Sequence, residues 1–214
     1  MKDLDKIYSS ASLFPLFSNR LLSSSRPEYS SLLEWLDIAG NDRNPDPVEV
    51  LALTEGVRKT DSLAMFRRPL LLGDGGVEAK FFVHGIRYLP DCSVKRIDQL
   101  VPGEKLLPLI DICNAHDGNA IAIRSEDPKV ILGYLPRYLS SEVRDALLDK
   151  GVSRSVEIEV KRINLDAPVR YRLMCCFRAR IPSEYKIFCA GDYEPLAPQK
   201  KYGDCGSLHV ADGQ

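Results

Sequence analysis

Residues 153–164 read SRSVEIEVKRIN, and apolar and charged side chains alternate along most of this stretch. Ile158 and Val160 fall on one side of the alternation, and charged residues fall on the other. A period of two predicts a β-strand that buries one face and exposes the other. Residues 170–181, RYRLMCCFRARI, are expected to pair back on this strand across a turn at residues 166–168. The sequence therefore predicts an antiparallel sheet built around two long strands.

Four shorter apolar segments precede these strands, and turn residues separate them from one another. They lie at residues 80–84, 106–112, 120–124 and 130–134. One helix interrupts the strands, since Pro136 suits its first position and Gly151 suits its C-terminal cap. Its buried stripe is predicted to consist of Leu139, Val143, Ala146 and Leu147. Five or six strands with one or two helices in about 100 residues predict an α+β fold with a small closed or half-closed barrel.

The N-terminal third is predicted to be helical. Leu32, Leu33 and Leu36 share one face of a predicted helix. Asp46-Pro47-Val48-Glu49 supplies an acidic N-cap, a proline at the first helical position and a glutamate three residues after the cap. Gly73-Asp74-Gly75-Gly76 is the clearest break in the chain. The predicted organisation is a helical extension over residues 1–76, a barrel domain over residues 77–182 and an irregular tail over residues 183–214.

The composition is typical of a soluble globular protein, with 44% hydrophobic and 28% charged residues among 214. No apolar run approaches the roughly 18 to 20 residues that span a bilayer. The first residues mix acids with bases and lack the apolar core of a signal peptide. The six cysteines form no CxxC pair and no regular framework, so reduced thiols are expected. We therefore expect a cytoplasmic protein without membrane association.

The residue types that usually carry catalysis or bind metals do not group in this sequence. His84, His116 and His209 are scattered, and no two of them lie within one helical turn, so a zinc site is not expected. The glycine run at residues 73–76 lacks the Gly-Lys-Ser/Thr of a phosphate-binding loop. Cys205 has no base placed beside it. We expect a protein that is not an enzyme and that holds no cofactor and no metal.

Three short motifs stand out within the predicted barrel. They are Gly-Ile-Arg-Tyr at residues 85–88, Asn-Ala-His-Asp-Gly-Asn-Ala at residues 114–120 and Gly-Tyr-Leu-Pro-Arg at residues 133–137. In this order they resemble the HIRAN domain, which occurs at the N-terminus of some DNA-remodelling helicases and as stand-alone bacterial proteins. The stretch LVPGEKLLPL from Leu100 also resembles the family. One departure is Ala115, which stands where the family turn has proline.

The resemblance implies a modified OB-like barrel that grips the 3′ end of single-stranded DNA. The residues that it implicates in nucleic-acid binding are Arg87, Tyr88, His116, Asp117, Tyr134 and Arg137. Arg87 and Tyr88 match a basic and aromatic pair that contacts phosphate and stacks on a base. Asp117 matches a carboxylate that accepts a hydrogen bond from the terminal 3′ hydroxyl. Arg137 matches a basic phosphate-binding position at the start of a helix.

The remaining matches are less direct. His116 falls where the family often has tyrosine, so its stacking plane is smaller and can be charged. Tyr134 matches a position that is aromatic or histidine in the family. Asn119 matches the turn asparagine, which we expect to hold the loop rather than to touch a ligand.

The physical chemistry of these residues agrees with the implied role. Planar side chains stack on any base for about 1–3 kcal/mol each, and the dipole of a helix that begins at Pro136 favours phosphate. A carboxylate in such a site repels phosphate, so it makes sense only where it meets a hydroxyl, which a strand end presents. Residues 120–180 carry twelve basic and eight acidic side chains, a mild excess that random variation also produces.

Structural roles remain open for the same residues. Residues 117–119 form a good turn whether or not they bind anything. Tyr88 and Tyr134 are equally consistent with aromatics at the edge of a core. Arg137 is also consistent with a solvated surface charge, which is the commonest role of surface arginines.

Two functional hypotheses follow. The first is an accessory nucleic-acid-binding protein that recognises 3′ ends in DNA repair, at replication forks or in defence, with a helicase, a nuclease or another protein as its partner. The second is a protein-interaction module of the adaptor or antitoxin kind, in which the barrel binds no nucleic acid. The net charge of −1 and the helical extension favour the second hypothesis somewhat.

Overall fold

The computed structural model describes residues 8–38, 45–73, 75–148 and 155–180. The helices are α1 (Pro15–Ser18), α2 (Tyr29–Trp35), α3 (Pro47–Thr54), α4 (Asp91–Asp98) and α5 (Arg137–Leu148). The strands are β1 (Leu70–Leu71), β2 (Gly76–Phe82), β3 (Lys105–Ile110), β4 (Ile121–Arg124), β5 (Ile131–Tyr134), β6 (Glu157–Ile163) and β7 (Leu173–Arg180). Short 3₁₀ turns lie at Ile86–Tyr88 and Val169–Tyr171.

The strands form one antiparallel sheet in the order β1-β2-β7-β6-β3-β4-β5. The predicted long pair lies at its centre, where Ile158 of β6 is opposite Phe177 of β7. The two ends of the sheet also meet, because His84, which follows β2, forms an antiparallel bridge with Tyr134 of β5. The backbone N–H of each of these two residues donates to the carbonyl oxygen of the other at 2.9 Å. Six strands therefore close into the predicted small barrel, and β1 lies outside it beside β2.

The barrel interior holds the larger of two hydrophobic clusters. Phe177 and Leu132 are fully buried there. α5 packs its predicted stripe against this cluster, with three residues fully buried and one partly buried. These residues are Leu139, Val143, Ala146 and, partly buried, Leu147. The helix is amphipathic, because its apolar residues recur at helical spacing while its other face carries charge.

The N-terminal helices pack on the outside of the barrel. α2 contributes Leu33 and α3 contributes Val50 to a second hydrophobic cluster, which Phe82 and Met174 complete from β2 and β7. Asp46 caps α3 as the sequence predicts, since its side chain accepts a hydrogen bond from the backbone N–H of Val48. The helices thus cover the face of β7 that points away from the barrel interior.

Two neighbouring cysteines on β7 are both buried. Cys175 and Cys176 point to opposite faces of β7, yet both are buried. Burial raises the pKa of both thiols, to about 11 for Cys176. Cys92 and Cys113 are exposed, and all four of these cysteines are free thiols.

One helix was not predicted. α4 interrupts the strands ahead of α5, whereas the sequence pattern indicated a single helix among the strands. Its only fully buried apolar side chain is Ile97, so it lacks the apolar periodicity that identifies longer helices. Its signal lies in its ends, because Asp91 occupies the first turn and Lys95 and Arg96 occupy the last, as the helix dipole favours.

Several predicted boundaries also differ from the observed ones. β2 begins at Gly76, four residues before the predicted start, because its first residues pair with β1. β7 begins at Leu173, since Val169–Tyr171 form a 3₁₀ turn. The predicted cap at Gly151, together with Cys189, Cys205 and residues 183–214, lies outside the described residues. In the described ranges, no helix is long and apolar enough to cross a membrane.

The bridge that closes the barrel requires a glycine at position 133. Gly133 has a φ of +140°, and an added Cβ would lie 2.3 Å from Val83 Cγ1 and 2.5 Å from the carbonyl oxygen of His84. We expect Gly133→Ala to lower the free energy of unfolding by at least about 3 kcal/mol, because backbone strain and overpacking add. Gly73→Ala is the control, since a Cβ there meets nothing within 4 Å. Equal denaturation midpoints for the two variants would contradict this view of the closure.

Candidate nucleic-acid interface

The closing bridge places the first motif against the third. Gly85 follows His84 with a φ of +77°, and the chain then turns through Ile86–Tyr88. A Cβ on Gly85 would lie 3.2 Å from Cδ2 of Tyr134, so the backbone of the turn rests directly on that ring. Ile86 is buried in the barrel core and anchors the turn from below. The residues on either side of Ile86 are therefore held in position by the barrel core.

Arg87 and Tyr88 form an exposed pair on this turn. The guanidinium carbon of Arg87 lies 4.5 Å from the centroid of the Tyr88 ring, and Arg87 Nη2 donates a hydrogen bond to Tyr88 Oη. Tyr88 is 75% exposed, which is unusual for a side chain of its apolar area. The pair presents one flat aromatic face and one cation to solvent, and it is not part of the hydrophobic core.

The second motif is a loop that its own side chains hold in shape. Asn114 Oδ1 accepts hydrogen bonds from the backbone N–H groups of His116 (3.0 Å) and Asp117 (3.1 Å). Asp117 Oδ1 accepts one from the backbone N–H of Asn119 (2.9 Å). Asn114 Nδ2 donates to Asp111 Oδ2 (3.1 Å), which ties the loop to the end of β3. Such side-chain bonds to nearby backbone replace the ladder bonds that a loop lacks.

Tyr134 joins the loop to the third motif. Its hydroxyl donates to Asp111 Oδ2 at 3.1 Å, the same oxygen that Asn114 bonds. Partial burial raises the pKa of the Tyr134 hydroxyl above its ordinary value, and the hydrogen bond to the Asp111 carboxylate acts in the same direction. The hydroxyl therefore remains a proton donor to Asp111, and the ring orientation is fixed from both ends.

Arg137 begins α5 and reaches back to the loop. Arg137 Nη2 donates to the carbonyl oxygen of His116 at 3.0 Å, and Arg137 Nε lies 3.6 Å from Asp117 Oδ2. The Arg137 side chain is 74% exposed, whereas that of Asp117 is 23% exposed. Arg144, one to two turns further along α5, donates to the carbonyl oxygen of Gly118. The helix thus supplies two cations to the loop.

Five of the six residues implicated by the sequence fall into two contacting groups. His116, Asp117 and Arg137 touch one another, and Arg87 and Tyr88 touch one another. Tyr134 lies between the groups, since its ring contacts Gly85 and its hydroxyl bonds Asp111.

Sequence reasoning missed three members of this network. They are Asp111, Asn114 and Arg144. The expectation that Asn119 holds the loop needs correction, because the side chain that bonds two backbone N–H groups is that of Asn114 and Asn119 contributes its own backbone N–H. The available signal was Asp111-x-x-Asn114, a pairing of side chains that commonly bond their own turn.

These features define a class: a small antiparallel barrel with an exposed cationic and aromatic surface beside a carboxylate-bearing loop. Residues 77–181 match the family model of the HIRAN domain. This part of the chain is therefore a HIRAN domain, and the three motifs lie within it. HIRAN domains are DNA-binding modules, so family membership supports nucleic-acid binding by this chain.

The solved structures that are similar to part of this chain include a protein from Lactobacillus plantarum and the HIRAN domain of human HLTF. The first is 23% identical with a TM-score of 0.37, and the match covers 50% of this chain and 100% of that one. The second is 17% identical with a TM-score of 0.34, and the match covers 50% of this chain and 79% of that one. No curated protein matches the sequence.

The loop network makes a direct prediction about Asn114. Asn114→Ala removes the acceptor of two backbone N–H groups, so we expect the free energy of unfolding to fall by about 1–2 kcal/mol. Amide hydrogen exchange at His116 and Asp117 should accelerate, because both amides lose their partner. Asn119→Ala in the same loop is the matched control, with an expected change within about 0.5 kcal/mol. Equal exchange rates in the two variants would show that Asn114 does not hold the loop.

Proposed function

We propose that this protein binds the 3′ end of single-stranded DNA through its HIRAN domain and that it acts by binding rather than by catalysis. The observation that carries the proposal is the position of Asp117. Its carboxylate lies in a loop next to Arg137, and the cation and aromatic ring of Arg87 and Tyr88 are exposed on the same domain. We propose Arg87, Tyr88, His116, Asp117, Tyr134 and Arg137 as the binding residues.

The contacts available on this surface suit a single strand. Tyr88 offers an open ring face for stacking on a base, which needs no particular sequence. Arg87 and Arg137 are exposed cations that can bond phosphate oxygens. Stacking combined with phosphate contacts is the general means by which proteins bind single strands.

The carboxylate supports a preference for strand ends. Asp117 Oδ1 accepts one backbone hydrogen bond, and Oδ2 faces Arg137 at 3.6 Å, beyond normal hydrogen-bond length. An ionised carboxylate has about four acceptor sites, so Asp117 retains the capacity to accept a hydroxyl proton. An internal phosphodiester offers no such donor and brings a repelling charge, whereas a 3′ terminus offers its hydroxyl.

A binding module needs a partner to act on DNA. We propose that the chain works with a helicase, a nuclease or another protein in DNA repair, at replication forks or in defence, inside the bacterial cytoplasm. Co-purification with a protein partner and no oligonucleotide binding at low salt would instead select the adaptor hypothesis.

End recognition is tested with oligonucleotides that differ only at the 3′ position. In fluorescence anisotropy at low salt, we expect a ten-nucleotide strand with a 3′ hydroxyl to bind at least about tenfold more tightly than the same strand with a 3′ phosphate. Asp117→Ala should bring this ratio close to one, because it removes both the acceptor and the repulsion. The ratio of the two affinities is its own control, since a general folding defect lowers the affinity for both strands equally. A ratio near one for the unaltered protein would refute end recognition.

Stacking is tested at Tyr88. Tyr88→Ala should weaken single-strand binding by about 1–3 kcal/mol, with the melting temperature unchanged because this side chain is exposed. Tyr88→Phe keeps the ring but loses the hydrogen bond with Arg87, and its affinity should stay within about threefold of the original. If both variants lost affinity equally, the hydroxyl rather than the ring face would be the contact.

A further inference from the structure

A cleft lies between the N-terminal extension and the HIRAN domain. Its volume is about 680 Å³, within the roughly 300–1,000 Å³ typical of ligand sites. One wall is the segment after α3, with Val57, Arg58 and Lys59, and the other holds Arg87 and Tyr88. Arg87 and Tyr88, which are two of the proposed DNA-binding residues, therefore belong both to the HIRAN surface and to the wall of this cleft.

The charges that line the cleft are mostly positive. Arg58, Lys59, Arg87 and Arg170 contribute four cations, and Glu55 contributes one carboxylate. Glu55 is already engaged, since its Oε1 lies 2.9 Å from Nε2 of His84. Arg58 and Lys59 are exposed, and neither forms an ion pair within the described ranges. Unpaired cations gathered around a cavity favour an anionic ligand.

The segment that carries Arg58 and Lys59 is held in place. Arg20 Nη1 donates to the carbonyl oxygen of Gly56 at 2.8 Å, and Arg20 Nη2 pairs with Asp61 at 2.6 Å. The Arg20 side chain is only 2% exposed, so one buried arginine fastens both ends of the segment. The two exposed cations thus project from a fixed turn.

The cleft walls are also fixed relative to each other. Arg170 Nη2, from the HIRAN domain, donates to the carbonyl oxygen of Thr54 at the end of α3 at 2.6 Å. The guanidinium carbon of Arg170 lies 4.7 Å from the centroid of the Tyr171 ring. Together with the bond between Glu55 and His84, these contacts join the extension to the domain along the floor of the cleft.

We propose that this cleft binds the DNA backbone next to the recognised end, with Arg58 and Lys59 contacting phosphates. The proposal rests on the proposed function, which puts the 3′ terminal nucleotide at Asp117. From there the strand runs on its 5′ side past Tyr88 and Arg87 into the cleft that they share with the extension. The N-terminal extension is then part of the DNA-binding surface, and the HIRAN domain alone holds only the terminal nucleotides.

The test compares two double variants of the full chain that remove equal charge. The first variant, Arg58→Ala/Lys59→Ala, removes two cations of the cleft. The second, Lys95→Ala/Lys129→Ala, is the control, because both lysines are exposed and lie outside the cleft and outside the three HIRAN motifs. Affinities are measured for strands of two and ten nucleotides with free 3′ hydroxyls, the shorter by competition against a labelled ten-nucleotide strand. Salt dependence is recorded for the longer strand.

We expect the cleft variant to bind the ten-nucleotide strand about five- to tenfold more weakly and the dinucleotide almost unchanged. The slope of log K against log salt should fall by about 1.4, because each phosphate contact on a single strand contributes about 0.7. The control variant should keep the original slope. If the unaltered protein binds but the two variants match in affinity and slope, the cleft proposal is wrong and end binding stands. If the unaltered protein binds neither strand, both proposals fail.

Discussion

The backbone bridge between His84 and Tyr134 is the constraint on which the rest of this structure depends. Two hydrogen bonds of 2.9 Å close a sheet whose ends would otherwise be exposed edges. The approach is possible only because Gly133 carries no Cβ. The same closure sets Gly85 on the Tyr134 ring and so brings motifs about fifty residues apart into one surface. The contacts that close the barrel therefore also assemble the candidate interface.

The N-terminal extension shares this dependence. His84 forms the bridge with its backbone and bonds Glu55 with its side chain, so the closing residue also fastens the end of α3. Phe82 and Met174 join the cluster that buries α2 and α3, and Phe66 stacks on Tyr138 of α5 with ring centroids 4.2 Å apart. Contacts at several separate places therefore bind the extension to the domain. The positions of the cleft residues follow from this packing.

The sequence predicted the elements with strong local signals. The alternation around Ile158 identified the central strand, and the spacing of Leu139 and Val143 identified α5, because each pattern repeats within one element. α4 was missed since its eight residues bury little apolar surface. The family motifs named six candidate residues; Asn114 lies in the second motif but was not among them, and Asp111 and the cleft cation Arg58 lie outside all three motifs. Asp111 bonds Tyr134, and Arg20 holds the segment that carries Arg58; these contacts join distant segments, which a local pattern does not encode.

Asp117 combines a structural role in the loop with the binding role that we propose for it. One carboxylate oxygen holds the turn through the Asn119 amide, and the other faces Arg137 across 3.6 Å without a short hydrogen bond. Cations also lie beside this carboxylate, since the neighbouring carbonyl oxygens of His116 and Gly118 accept hydrogen bonds from Arg137 and Arg144. The two guanidinium groups therefore lie on the same side of the loop as this carboxylate. The proposed discrimination between strand ends uses the second oxygen, which no short hydrogen bond occupies and which can accept a hydroxyl proton.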